Sequence, residues 1–285
     1  MLIIVGAIVV LVSLVVGFSM AGGHLMVLLQ VSEFITIGGA AIGSFLIAAS
    51  MEDIKKVIAA ITRVIGHKHH SKEDNLVLLK ALYELFLLAQ RDGLLALEKH
   101  IENPADSEIL STDEKLIKNE YAANFLCDTL KVMLSGGVPP HDVEALMDLE
   151  IKTFKTDVHP AHAQLTKLSD AFPALGIVAA VLGIIVTMGS INDGADAVGH
   201  HVAAALVGTF LGILLSYGFV GPLATSIEHM LEGDVHYLET IKECVIAYAK
   251  GNPPIVAVEI GRRTLTPHER PSFGDLENYL RGKGE

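Results

Sequence analysis

Residues 170–224 read DAFPALGIVAAVLGIIVTMGSINDGADAVGHHVAAALVGTFLGILLSYGFVGPLA. Two apolar runs, 171–191 and 202–224, flank a short polar link that holds no Lys or Arg. Each run is long enough to cross a bilayer, which takes about 20 residues, within a range of roughly 17–25. Small residues recur through both. Gly208 and Gly212 stand four apart, and so do Gly176 and Ala180, and Ala179 and Gly183. Such stripes let helix backbones approach closely. The stretch therefore reads as a hairpin of two membrane helices. Its small faces suit packing inside this chain, or packing against another subunit or a partner helix.

The N-terminus repeats the pattern. Runs 1–20 and 34–50 are also apolar, and Gly39 and Gly43 again stand four apart. The first run, MLIIVGAIVVLVSLVVGFSM, has no basic residue before it and is longer than the apolar part of a signal peptide, so it reads as a retained span. Of 285 residues, 51% are hydrophobic, and mean hydropathy is +0.48, as expected of an integral membrane protein. All 21 Lys and Arg lie in 55–167 or after 241. By the positive-inside rule, both termini and the segment between the hairpins are then cytoplasmic. The net charge of −12 excludes a nucleic-acid binder.

The fold class that follows is an all-α integral membrane protein: four spans in two hairpins, with a helical cytoplasmic domain inserted between the second and third. The expected divisions are 1–52, 53–168, 169–225 and a C-terminal helix and tail over 226–285. Residues 75–90 carry apolar side chains at helical spacing, as do 112–134. Gly136-Gly137 and Pro139-Pro140 then break the chain, and Pro140 suits the first turn of a helix over 142–156 or beyond. Cys127 and Cys244 are far apart and read as reduced thiols.

Three further features bear on function. First, no charged side chain falls inside a span, with Glu33 and Asp170 at the edges. A chain that moves ions usually keeps an ionisable group in the membrane. Either this one conducts nothing, or the group belongs to another chain. Second, Pro173 follows Ser169-Asp170, which suits the capped start of the third span, and Pro222 falls at the end of the fourth. These prolines mark helix ends or form a hinge. Third, RDGLLALEKHIENP at 91–104 sets Arg91 and Glu98 seven residues apart, nearly one face of a helix after two turns, with Leu94 and Leu95 between. His67, His69 and His70 read as a solvated linker, and His200 and His201 as a helix start. No catalytic triad, phosphate loop or metal motif appears, so an enzyme is not expected and no cofactor is implied.

These segments, with MLSGGVPPHDVEALMDLEI (133–151) and VEIGRRTLTPHERPSF (258–273), together resemble the MotA family of flagellar stator proteins over nearly the whole chain. The resemblance implies a subunit of the bacterial inner membrane that forms a homopentamer around two copies of a MotB-type partner. That partner supplies the membrane aspartate on which protons bind and leave, which fits the carboxylate missing here. The resemblance also implies that the third and fourth spans face the partner and line the ion pathway. On this sequence those positions are Gly176, Gly183, Gly208, Gly212, Ala180, Thr209 and Tyr217. Pro173 and Pro222 match the family prolines that couple ion flow to conformation. Arg91 and Glu98 match the charges that engage the rotor protein FliG. Sodium-driven relatives carry a threonine in each inner span. Here Thr209 is present but Ala180 replaces the other, which favours protons. Relatives of the ExbB and TolQ type have three spans, so the first hairpin and the Arg91–Glu98 segment argue against them. A self-contained transporter is disfavoured by the lack of intramembrane charge.

Overall fold

The computed structural model describes residues 2–66 and 71–282. His67, His69 and His70 lie outside the described residues. Every regular element described is helical. In chain order these are α1 (Leu2–Met20), α2 (Val31–Ala48), α3 (Met51–Gly66), α4 (Lys72–Asp92), α5 (Glu98–Glu102), α6 (Glu114–Lys118), α7 (Glu120–Leu134), α8 (Pro140–Gly189), α9 (Ala195–Ile213), α10 (Gly221–Ala249), α11 (Pro254–Thr264) and α12 (Phe273–Leu280). A π-helical segment, Leu214–Val220, joins α9 to α10. Among the described residues, four helical stretches are long and apolar enough to cross a membrane.

The chain divides into two compact units, 1–67 with 158–230 and 68–157 with 231–285. The divisions at 157/158 and 230/231 fall inside α8 and α10, not at helix ends. The spanning unit is built from α1, α2, α3, α9 and the adjoining parts of α8 and α10. α1 fully buries no residue: a stripe of Ile3, Ala7, Val10, Leu14 and Phe18 is half-buried, and the rest of its apolar surface faces outward, which is stable only in lipid or against another apolar chain. α2 packs on α9 and buries Glu33, Ile37 and Ala41, one residue per turn. Ile37 and Ala41 join Phe172, Ala179 and Leu211 in a small core.

The other unit has a conventional apolar core. α4 contributes Leu78, Leu79, Leu82, Leu85 and Phe86; α7 contributes Phe125, Leu126 and Leu130; α10 contributes Leu238, Ile241 and Val245. A capping box starts α4: Asp74 N–H donates to Ser71 Oγ at 3.2 Å, and Ser71 N–H donates to Asp74 Oδ2 at 2.7 Å. Phe86 stacks on Tyr248 with ring centres 4.6 Å apart.

The expected single helix over 112–134 is two. Asn119 leaves helical geometry, and its side chain accepts from Ala122 N–H at 3.3 Å, capping α7. Asp113 caps α6 through Lys115 and Leu116 N–H at 3.0 and 2.9 Å. Local caps of this kind compete with helix continuation, and periodicity alone does not register them. The expected tail is folded. α11 and α12 pack on α4, and Ala257, Val258, Leu265 and Leu276 enter the core. Arg262, buried, donates to both Glu259 oxygens at 2.6 and 2.8 Å and to Pro271 O at 2.7 Å. Asn75 Nδ2 donates to Glu269 O at 3.1 Å, tying the same segment to α4.

Gly261 is where α11 meets α10. A Cβ there would lie 2.0 Å from Cys244 Sγ and 3.1 Å from Thr240 O. Gly261→Ala is expected to cost about 1–3 kcal/mol through overpacking, read as a lowered thermal midpoint of the detergent-solubilised protein. Cys244→Ala in the same background removes the clashing sulfur and should recover part of that loss.

Candidate functional site: the α8–α9 seam and the Arg91–Glu98 turn

The spans meet backbone to backbone. A turn over residues 190–194, ending on Gly194 at φ +102°, returns the chain from α8 to α9. A Cβ on Gly176 would lie 2.9 Å from Gly208 O and 3.1 Å from Gly212 Cα. One on Gly212 would lie 2.6 Å from Phe172 O, and one on Gly183 would lie 2.7 Å from Ala205 Cβ. Gly176, Gly183, Gly208 and Gly212 thus serve packing within the chain. A smooth glycine stripe accepts the nearest backbone, and the tight turn brings α9 there first. Ala180 and Thr209 are half-buried beside this seam, whereas Tyr217 is 72% exposed. Ile177, Val181 and Ile184 on α8 and Leu206 and Ile213 on α9 are left outward-facing.

Glu33 also departs from the sequence reading. α2 begins at Val31, so Glu33 lies in its first turn, only 7% exposed. Its Oε2 has no hydrogen bond and would lie 2.6 Å from a Cβ on Gly208. Glu33 therefore lies inside α2 and not at its edge. The lack of a side chain at Gly208 makes room for it, and a first-turn position favours an acid.

Neither proline ends a helix. α8 continues through Pro173 without a capped start for the span, and also through Pro160. Pro222 is the second residue of α10, directly after the π-helical segment. Proline supplies no N–H, and membrane helices tolerate the loss where local π geometry and neighbouring hydroxyls re-satisfy the freed carbonyls. Here Gly221 N–H reaches back five residues to Ser216 O. His200 and His201 lie within α9, rings edge-on at 6.1 Å.

Arg91 and Glu98 do not share a helix face. α4 stops at Asp92, and Gly93 adopts φ 86°, ψ 161°, a conformation almost confined to glycine. A short 3-10 turn, Leu94–Leu97, leads into α5, where Glu98 is the first residue. The D-G pair was the available signal for this break. Arg91 is exposed and donates to both Asp92 oxygens at 2.9 and 2.7 Å. Glu98 and Leu95 are exposed, while Leu97, His100 and Ile101 are buried and fix the turn to the core. His100 Nδ1 lies 2.8 Å from Ser107 Oγ, and burial holds the ring below the ordinary histidine range. Among the described residues no cluster could hold a metal.

Residues 4–93 match the family described as Motility protein A N-terminal, and residues 117–240 match the MotA/TolQ/ExbB proton channel family. The chain is 37% identical to Motility protein A of Salmonella typhimurium over 281 residues, covering 99% of this chain and 95% of that protein. The chain belongs to the motility protein A family. It is similar to the flagellar MotAB stator complex from Bacillus subtilis at TM-score 0.75 and 26% identity, covering 90% of this chain and 92% of that one. It shares the fold of C. jejuni MotAB at TM-score 0.80 and 20% identity, covering 95% and 98%. The chain is thus a stator protein of the flagellar motor and not an enzyme, and its helical, four-span class stands as the sequence indicated.

Replacing Gly93 by Ala forces a side chain into its positive-φ turn, at a cost of about 1–3 kcal/mol. The thermal midpoint should fall by about 2–4 °C per kcal/mol, and a nitroxide at position 98 should report a changed environment. Acidification tests His100. Its folded pKa is depressed, so the unfolded chain takes up the proton first as pH falls. The stability is whole above the usual histidine pKa of about 6.5 and drains away below it. The midpoint should decline between about pH 7 and about pH 5, and the decline should be smaller in His100→Asn.

Proposed function

We propose that five copies of this chain surround a MotB-type partner in the bacterial inner membrane, with both termini cytoplasmic. In this reading the assembly lets protons pass and drives the rotor protein FliG through Arg91 and Glu98. The observation that carries the reading is where charge is and is not. The outward faces of α8 and α9 carry Ile177, Val181, Ile184, Leu206 and Ile213, and Glu33 of α2 is enclosed within the chain. A proton path along those faces needs an acid from elsewhere, and a partner aspartate meets that need.

Each charge crossing the membrane releases about 2.3 kcal/mol per 100 mV. Protonating the partner acid removes a charge from an apolar setting and changes which surrounding faces it prefers. Successive protons step the ring. Pro173 and Pro222 interrupt the two helices that would feel each change. Ala180 gives no oxygen to an ion and Thr209 gives one hydroxyl, which suits protons better than sodium. The rotor contact is an exchange. Arg91 already holds Asp92, so a rotor carboxylate displaces one exposed partner with another. Exposed pairs are worth about 0–1 kcal/mol, which suits a contact made and released many times per turn.

Arg91→Glu and Glu98→Lys are expected to slow swimming at unchanged membrane level, with partial recovery when FliG carries the opposite change. If every variant swims normally, these residues are not the rotor contact. If motility tracks protein level alone, they are structural.

A further inference from the structure

Close to Pro173 on one helix and Pro222 on the other lies one pair of buried hydroxyls that touch. Pro173 has no N–H, so the carbonyl of Ser169, four residues earlier, loses its helical donor. On the other helix, the π-helical segment before Pro222 leaves Ser216 O as the acceptor for Gly221 N–H. Ser169 Oγ lies 3.2 Å from Ser216 O and 3.2 Å from Ser216 Oγ. Both serines are buried, at 5% and 1% exposure. Gly221 leaves the space open: a Cβ there would lie 3.0 Å from Ser216 O and 3.2 Å from Ser169 Oγ. One helical turn further along the seam, Gly212 and Phe172 meet with no room for a methyl group.

We propose that Ser169 and Ser216 are positioning residues, a clasp that makes the two proline-broken spans bend as one. This rests on the stator reading and adds to it the element that joins the two breaks. If one helix bends alone, the hydroxyls separate inside an apolar seam where no water replaces the lost bond. The separated state is then disfavoured on the order of tenfold. The clasped pair passes a proton-driven change in one helix to the other. An unclasped pair lets one helix yield while the other stays, and that loss is greatest when the rotor resists.

The test uses the full chain with its native partner, in a strain lacking the endogenous subunit. Rotation is measured at high and low load, and torque is taken per incorporated unit, counted from stepwise speed increments, so that differences in membrane level drop out. Ser169→Ala and the double variant should each lose about half or more of the per-unit torque near stall, while Ser216→Ala, which keeps the bond from Ser169 Oγ to Ser216 O, should lose less. Speed at low load should be kept. The double should be no worse than Ser169→Ala, because that change already removes both contacts. Ser169→Cys fills the volume but bonds weakly. It should behave like Ala if the hydrogen bonds matter, and like Ser if only packing does. Wild-type per-unit torque in Ser169→Ala, equal loss at all loads, a double worse than Ser169→Ala, or wild-type behaviour of the Cys variant would each overturn the clasp. Failure of the unmodified chain to restore any rotation would instead overturn the stator reading.

Discussion

The absence of side chains at Gly176, Gly208 and Gly212 sets the distance between α8 and α9, and most of the spanning unit follows from that distance. With backbones in contact, there is no interior between the two helices for an aqueous path. Apart from those that pack on α2, such as Phe172 and Leu211, apolar side chains including Ile177, Val181, Ile184, Leu206 and Ile213 are turned outward, toward lipid or other chains. The same closeness opens a niche beside Gly208 that accepts the Glu33 carboxylate from α2. It also brings Ser169 within hydrogen-bonding reach of Ser216. In lipid there is no hydrophobic force between helices, so this dispersion contact and a few polar bonds hold the pair. That is why one methyl group in the seam matters more here than in a water-soluble core.

Much of this was legible in the sequence. Apolar runs found the four spans, because a bilayer demands both length and hydrophobicity and few other settings do. The stripe 75–90 found α4, and Gly136-Gly137 with Pro139-Pro140 found the break before α8, whose first residue is Pro140. The glycine stripe was legible as a close-packing face, but not its occupant, because small residues carry no signature of what covers them. The prolines were legible as helix ends or a hinge, and the helix runs on at both. In water a freed carbonyl ends a helix cheaply, whereas membrane helices tolerate proline where neighbouring groups re-satisfy the backbone. Arg91 and Glu98 were found as charges but set on the wrong backbone, because seven-residue spacing outweighed one Asp-Gly pair. α11 and α12 were missed because short helices bury their apolar residues against distant partners, a dependence no local pattern records.

The other unit shows how a charged surface is kept for use. Lys155 with Glu239, Lys242 with Asp148 and Lys250 with Glu144 lie 2.8–3.0 Å apart and link α8 to α10. These pairs engage charges that would otherwise compete for a partner. Arg91 is held by its neighbour Asp92, and Glu98 stands on a turn whose buried residues, Leu97 and Ile101, anchor it without covering it.

The core of that unit draws on two parts of the chain, 68–157 and 231–285, with α8, the 190–194 turn and α9 between them. Chains emerge from the ribosome N-terminus first. Leu78, Leu82 and Phe86 therefore wait uncovered for Leu238, Ile241, Val258 and Leu276, which are made only after the last span. Biogenesis thus has a fixed order. Membrane insertion comes first, closure of the unit that bears Arg91 and Glu98 comes second, and a chain stalled before its last fifty residues presents an unfinished core to the cell's proteases.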